Sequence, residues 1–147
     1  MNNKQYVFFY GSLREGGTNY TKINKEPNLI KIGNNGITEN KYSFIGTMSG
    51  VYPYASHYLF DDVDKVNIIG EIYEVISQSY LHNLDKLEYN YTREIVSVIV
   101  DGEKYNANMY ILEDKELIIG VKENLYPNGK KRFYNITTGD WFQEKPT

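Results

Sequence analysis

The sequence predicts an α+β domain: a mostly mixed or antiparallel sheet curled around a small core, beside one main helix. Three observations carry this. Short apolar or alternating segments bounded by Gly, Asn and Pro recur along the chain, which is the mark of strands. Only the segment from Gln78 to Glu88 repeats its apolar residues with a helical period. The 147 residues, 41% apolar and 24% charged, supply one core and exclude wholesale disorder.

Taken in order, Tyr6 to Tyr10 is an aromatic run stopped by Gly11, read as the first strand. Residues Thr21 to Asn40 are polar and rich in Asn and Gly, and read as a long loop with a little helix or strand. Lys41 to Thr47 is a candidate strand that runs into the turn-rich Gly50-Val51-Tyr52-Pro53. From Asn67 to Ile76 the chain alternates: Ile69, Glu71, Tyr73 and Val75 share one face, Ile72 and Ile76 the other. The helix follows, with Ser77 as its expected cap and Tyr80, Leu81, Leu84 and Leu87 as its apolar stripe. Glu94 to Val100 is apolar on both faces, as in a central strand. Asp101-Gly102 then turns the chain into Tyr105 to Leu112, a hairpin.

Composition removes several chemistries. There is no cysteine, so thiol nucleophiles, disulfides and cysteine metal sites are excluded. Two histidines, His57 and His82, cannot build a three-histidine metal site. A net charge of -3 and a pI near 5.4 argue against a nucleic-acid binder working through a basic surface. The N-terminal apolar run is too short for a signal-peptide core, and no run approaches the roughly 18 residues of a membrane span. The expectation is a cytoplasmic protein with neither nucleic-acid nor membrane partners, a monomer or a homodimer. Tyrosine is the surplus residue, at 15.

Two features stand out. Glu88 follows Leu84 by one helical turn and Leu81 by two, inside the apolar arc. A carboxylate there is desolvated, which holds its pKa up towards the range useful for proton transfer. It also sits at a helix C-terminus, where the macrodipole opposes negative charge. The alternative is that the helix ends by Leu87 and Glu88 turns out to solvent. The second feature is the loop Gly11-Ser12-Leu13-Arg14-Glu15-Gly16-Gly17-Thr18, spaced like a phosphate-binding P-loop. Gly17 stands where that loop needs its lysine, so nucleotide hydrolysis is rejected. What remains is a tight turn whose backbone N–H groups at Gly11, Ser12 and Leu13 can hold a carboxylate or oxyanion, or else an ordinary glycine turn.

Together these motifs resemble a family. Tyr10-Gly11-Ser12-Leu13-Arg14-Glu15-Gly16, followed by Asn19, resembles the Tyr-Gly-Thr/Ser-Leu-Arg-x-Gly opening of the gamma-glutamylcyclotransferase-like proteins. Gly50-Val51-Tyr52-Pro53 is similar to their glycine and proline turn, and Ile69-Gly70-Glu71-Ile72-Tyr73 to their Gly-Glu-(Leu/Ile)-Tyr strand. Leu84-Asp85-Lys86-Leu87-Glu88, then Tyr91 and Arg93, resembles Leu-Asp-x-Leu-Glu-Gly-Tyr and Tyr-x-Arg. Gly139-Asp140-Trp141 matches a C-terminal Gly-Asp-Trp. The order is the family's, over residues 6 to 141. Tyr89 replaces the usual glycine after the glutamate, residues 21 to 40 are longer than typical, and the Ile-Trp of glutathione-specific members is missing.

The resemblance implies a single domain, a small mixed β-barrel of about six to seven strands with one main helix. It also implies a cofactor-independent reaction, of the gamma-glutamylamine cyclotransferase type. The α-amino group of a γ-glutamyl amide attacks its own γ-carbonyl, giving 5-oxoproline and a free amine. Glu88 is the implied general acid/base. Tyr10, Gly11, Ser12, Leu13, Tyr52, Tyr91 and Tyr110 are the implied substrate-binding residues, with Tyr10, Tyr52 and Tyr91 reading alternatively as aromatics that only pack. No metal is implied. A non-catalytic binding or interaction module on the same fold is the alternative. Arg14 reads either as a clamp for a substrate carboxylate or as a solvated side chain. Arg93 reads as half of a structural ion pair and Asp85 as a structural hydrogen-bond partner. His57 shows no partner in sequence, and His82 lies on the polar helix face.

Overall fold

The computed structural model describes residues 4–47, 53–58, 64–88, 91–113 and 133–144. Its elements are β1 (Gln5–Phe9), β2 (Leu29–Thr47), β3 (Pro53–Ser56), β4 (Val66–Val75), α1 (Ser79–Leu87), β5 (Thr92–Val100), β6 (Glu103–Ile111), β7 (Phe133–Asn135) and α2 (Trp141–Glu144). A 3-10 turn, Tyr20–Lys22, follows the glycine-rich loop. Strands β4, β1, β6 and β5 lie side by side, and β2 pairs with both β4 and β5, so five strands close into a barrel. The β1–β6 pair is parallel and the others antiparallel, which makes the barrel mixed. Strands β3 and β7 pair with the C-terminal part of β2 outside that closed circuit.

Two apolar clusters divide the work. The barrel interior holds Phe8, Tyr10, Tyr42, Phe44, Ile68, Ile72, Val96, Val98, Met109 and Ile111, with Trp141 of α2 among them. The alternate residues of the same strands face outward: Val7 and Phe9 of β1, Tyr73 and Val75 of β4, and Tyr110 of β6. They meet Tyr80, Leu81 and Leu84 of α1, together with Leu13 and Ile23. The period-2 pattern of the strands thus feeds two cores, one inside the barrel and one beneath the helix.

Where the sequence signals were strong, the elements are present. Asp101 and Gly102 both have positive φ, 50° and 81°, the primed turn that matches strand twist in a two-residue hairpin. The helix ends at Leu87, and Glu88 is its C-terminal cap residue.

Three expectations are corrected. Most of the segment read as a loop, residues 29 to 40, belongs to β2. Its pairing with β4 is broken by three register shifts, between Lys31 and Gly33, Gly33 and Gly36, and Ile37 and Lys41. Such irregularities bend a strand round a barrel corner and erase its alternation. A Cβ on Gly36 would stand 3.0 Å from Val98 and 3.2 Å from Phe8, so a residue that weakens the strand locally is what lets it cross the barrel closely. Second, β5 is buried on one face only: Ile95 is 58% exposed, because α1 covers the β1, β4 and β6 side of the barrel instead. Third, Ser77 does not cap α1 through its side chain. Its carbonyl accepts the Tyr80 N–H at 2.9 Å, and its hydroxyl lies 2.8 Å from that of Ser79.

Leu84, 1% exposed, ties α1 to the barrel wall. Leu84→Ala should destabilise the fold by about 2–5 kcal/mol through lost burial and the cavity left behind. Urea unfolding of the two proteins measures it.

Candidate functional site

The site begins where β1 ends. Tyr10 keeps its ring in the barrel interior and donates its hydroxyl to the Tyr110 carbonyl. Beyond it the loop folds on itself. The Arg14 N–H donates to the Gly11 carbonyl at 3.0 Å and the Gly17 N–H to the Arg14 carbonyl at 2.7 Å. Asn19 closes the loop twice, from its backbone N–H to the Ser12 carbonyl at 3.0 Å and from its amide to the Ser12 hydroxyl at 2.8 Å. Leu13, 4% exposed, plugs into the cluster beneath α1.

Behind the loop lies a buried ionic clamp. Arg14, 6% exposed, pairs with Asp140 at 2.8 Å, lies 3.8 Å from Glu71 and stands 4.3 Å over the Phe142 ring. Glu71 accepts the Glu15 N–H with both oxygens, at 3.0 and 3.1 Å, and the Tyr73 hydroxyl at 2.9 Å. Arg14 is therefore neither a substrate clamp nor solvated. It joins the loop to β4 and to the segment before α2, where desolvation of a charge is offset by two carboxylates. With the rear of the loop held, its front amides are left over. Among the described residues, no protein acceptor meets the N–H of Gly11, Ser12 or Leu13. Gly11 has a packing reason as well: a Cβ there would stand 2.9 Å from the Pro53 ring.

Gly11, Ser12 and Leu13 border a cavity of about 230 Å³. Phe8, Phe9 and Tyr10 form one wall, Gly11 to Leu13 with Asn19 and Lys22 the next. Leu87 and Glu88 close it from the end of α1, with Pro53, Tyr54, Tyr91 and Tyr110 completing the lining. The rings of Tyr54 and Tyr91 stack at 6.2 Å. The sequence left open whether Glu88 faced solvent. The helix does end before it, yet the turn that carries it, in which the Glu88 carbonyl accepts the Tyr91 N–H at 2.9 Å, leaves the side chain on the cavity.

Burial pushes the Glu88 carboxyl up to about 7, with Lys22 pulling the other way. The same burial raises the Tyr10 phenol well above its usual value; the Glu88 charge adds to the rise, and a hydrogen bond with the Ala55 backbone opposes it. Tyr110 is raised by burial first, then by its hydrogen bond to Asp85. A carboxyl that titrates near neutrality can give and take a proton in one cycle.

The sequence-derived residues Tyr10, Gly11, Ser12, Leu13, Glu88, Tyr91 and Tyr110 all border this one cavity. Tyr52 lies outside the described residues, as does Tyr89. Sequence reasoning assigned half of the lining to the site; among those it missed, Lys22 and Tyr54 stand in no periodic or motif position that would mark them, although Tyr54 directly follows the Pro53 turn. His57 does have a partner, Glu94 at 2.8 Å, supplied by a distant strand. Arg93 pairs with a carboxylate, that of Asp85, at 3.0 Å, and Asp85 also accepts a hydrogen bond from the Tyr110 hydroxyl at 2.8 Å. Among the described residues no group of three His, Asp or Glu is placed to hold a metal ion, and no helix is long and apolar enough to cross a membrane.

The closed mixed barrel carries this cavity between the loop after β1 and the end of α1. The chain belongs to the gamma-glutamyl cyclotransferase, AIG2-like family, whose model matches residues 7–143. It is 34% identical over 110 residues, 72% of this chain and 82% of the relative, to a Methanocaldococcus jannaschii protein provisionally named a gamma-glutamylcyclotransferase. Its fold is shared with a mouse AIG2-like protein, with a TM-score of 0.61 and 23% identity over 80% of this chain and 84% of that one. YkqA from Bacillus subtilis superimposes on 95% of this chain with a TM-score of 0.60 and 21% identity, and this chain spans 40% of its length.

The raised Glu88 carboxyl ties stability to pH. Its folded value exceeds the ordinary 4.5, so the folded protein holds a proton that the unfolded chain releases between about 4.5 and 7. That contribution is complete below 4.5 and lost as pH rises through 7. Relative to Glu88→Gln, the wild-type protein should lose stability across this window and stay level above it. Denaturant melts from pH 4 to 8.5 measure the difference.

Proposed function

We propose that the chain is a γ-glutamyl cyclotransferase that converts a γ-glutamyl amine or peptide into 5-oxoproline and the free amine, with no cofactor. The observation that carries this reading is the Glu88 carboxyl: set on a cavity, raised to about 7, and sharing that cavity with Gly11 to Leu13. The reaction needs little else from the protein. The substrate brings its own nucleophile, and a five-membered ring closure has most of its entropic cost already met within the molecule.

Glu88 takes a proton from the substrate α-ammonium. The freed amine attacks the γ-carbonyl, forming the new C–N bond and a tetrahedral oxyanion. The oxyanion collapses, the old C–N bond breaks as Glu88 returns the proton to the leaving nitrogen, and the ring nitrogen gives up its remaining extra proton, by way of Glu88, to the released amine. A carboxyl near 7 is suited to both transfers. The loop amides hold the α-carboxylate or the oxyanion, a duty for which their freedom from protein acceptors leaves them available. Tyr10, Tyr91 and Tyr110 shape the walls around the glutamyl group, and Tyr52 completes the proposed binding set.

A panel of γ-glutamyl amines and dipeptides, assayed for 5-oxoproline, tests this. At least one should be turned over, and Glu88→Gln should lower kcat/KM on it by about 10²- to 10⁴-fold. Saturable binding with no turnover across the panel would instead identify a non-catalytic binding module. Undiminished turnover by Glu88→Gln would remove the proposed base.

A further inference from the structure

Glu88 is buried enough to be raised, yet its carboxylate is left without help. Among the described residues, no side-chain or backbone donor lies within hydrogen-bond distance of it. The titratable groups that share its cavity are Tyr10 from the end of β1, Lys22 from the 3-10 turn, Tyr54 from β3, Tyr91 after α1 and Tyr110 from β6. Two of these, Tyr10 and Tyr110, lie close enough for the Glu88 charge to raise their phenols. Each hydroxyl has a single proton to give, and each gives it elsewhere. Tyr10 donates to the Tyr110 carbonyl. Tyr110 donates to Asp85 Oδ1 at 2.8 Å.

The Tyr110 bond is reinforced from behind. Arg93 Nε stands 3.0 Å from the same Asp85 oxygen, and its Nη1 donates to Asn108 Oδ1 at 3.2 Å. Asn108, 2% exposed, is anchored in turn by donating to the Tyr6 carbonyl at 2.8 Å. This chain runs from the barrel wall to the helix, and its last member sits three residues before Glu88 on α1. It fixes the direction of one proton.

We propose that Asp85 is a positioning residue that holds the Tyr110 hydroxyl proton away from the cavity and so keeps the Glu88 carboxylate free of a hydrogen bond. A donor to the ionised carboxylate would favour the charged form and weaken Glu88 as a base. Tyr110 borders the same cavity as Glu88, and with its proton committed to Asp85 its oxygen can offer that cavity only an acceptor, which suits an ammonium group and not a carboxylate. This assignment rests on the reading of Glu88 as the proton carrier, but its physical content can be measured without any turnover.

The experiment is a carbon NMR titration of the Glu88 carboxyl, assigned by its loss in Glu88→Gln, in four proteins. In Asp85→Ala the Tyr110 proton is released to turn towards Glu88, and the Glu88 midpoint should fall by about one pH unit. In Asp85→Asn the amide oxygen still accepts from Tyr110, so the midpoint should stay near the wild-type value although the charge is gone. In the double variant Asp85→Ala/Tyr110→Phe there is no proton to redirect, and the fall should disappear. An unshifted Asp85→Ala overturns the proposal. So does a fall that persists in the double variant or appears equally in Asp85→Asn, since either would make the effect that of the Asp85 charge. If Asp85→Ala does not fold, a shifted Asp85→Asn overturns the proposal, and an unshifted one beside a Tyr110→Phe midpoint no lower than wild type supports it. On a substrate that is turned over, the acid limb of the pH–rate profile should move with the midpoint. Absence of turnover would count against the cyclotransferase reading and leave the titration result standing.

Discussion

The closure of the barrel through β2 is the constraint on which the rest of the molecule depends. This one strand, Leu29–Thr47, pairs with β4, β5, β3 and β7. A straight strand cannot serve partners lying in so many directions. Register shifts at Gly33, at Gly36 and before Lys41 turn it from one neighbour to the next. Closing the sheet removes its edges and sets the order of strands inside, with β1 between β4 and β6. That central place for β1 is what aims the loop after Tyr10 at the cavity.

The loop itself is held by charge. Arg14, Glu71 and Asp140 come from three distant parts of the chain and meet where there is little water. Buried ion pairs are weak evidence of stability, because desolvation cancels much of their attraction. Their value here is geometric. Glu71 takes up the Glu15 amide, while among the described residues no protein acceptor meets the Gly11 to Leu13 amides. A loop of small residues is given one conformation without spending the donors that the proposed chemistry needs.

Glu88 shows the opposite economy. Most buried carboxylates in a folded protein are partnered, and Glu71 in this same chain is one of them. Glu88 is desolvated, placed at a helix C-terminus and flanked by phenols whose protons point elsewhere. Each of these conditions is unfavourable to a carboxylate, and all act on a single residue. Local cost of this kind, carried by a fold that is otherwise consistent, is what functional sites display.

By itself the sequence determined the fold class, the helix and the hairpin turn at Asp101-Gly102. These are legible because they rest on local rules: a period of two or of 3.6, a turn that needs positive φ, a glycine-rich motif at the end of a strand. Half of the residues that border the cavity were also legible, Tyr10, Tyr91 and Tyr110 among them only through the resemblance to a family. The sequence did not determine β2, because strand bends with glycine at their corners read as loop until their partners are present. Nor did it fix the direction of Glu88, the partners of Arg14 and His57, or the presence of Lys22 and Tyr54 at the cavity. Only the tertiary structure decided these, since burial and charge pairing depend on segments far apart in the chain. Arg14 and Asp140, the pair that holds the loop, are 126 residues apart.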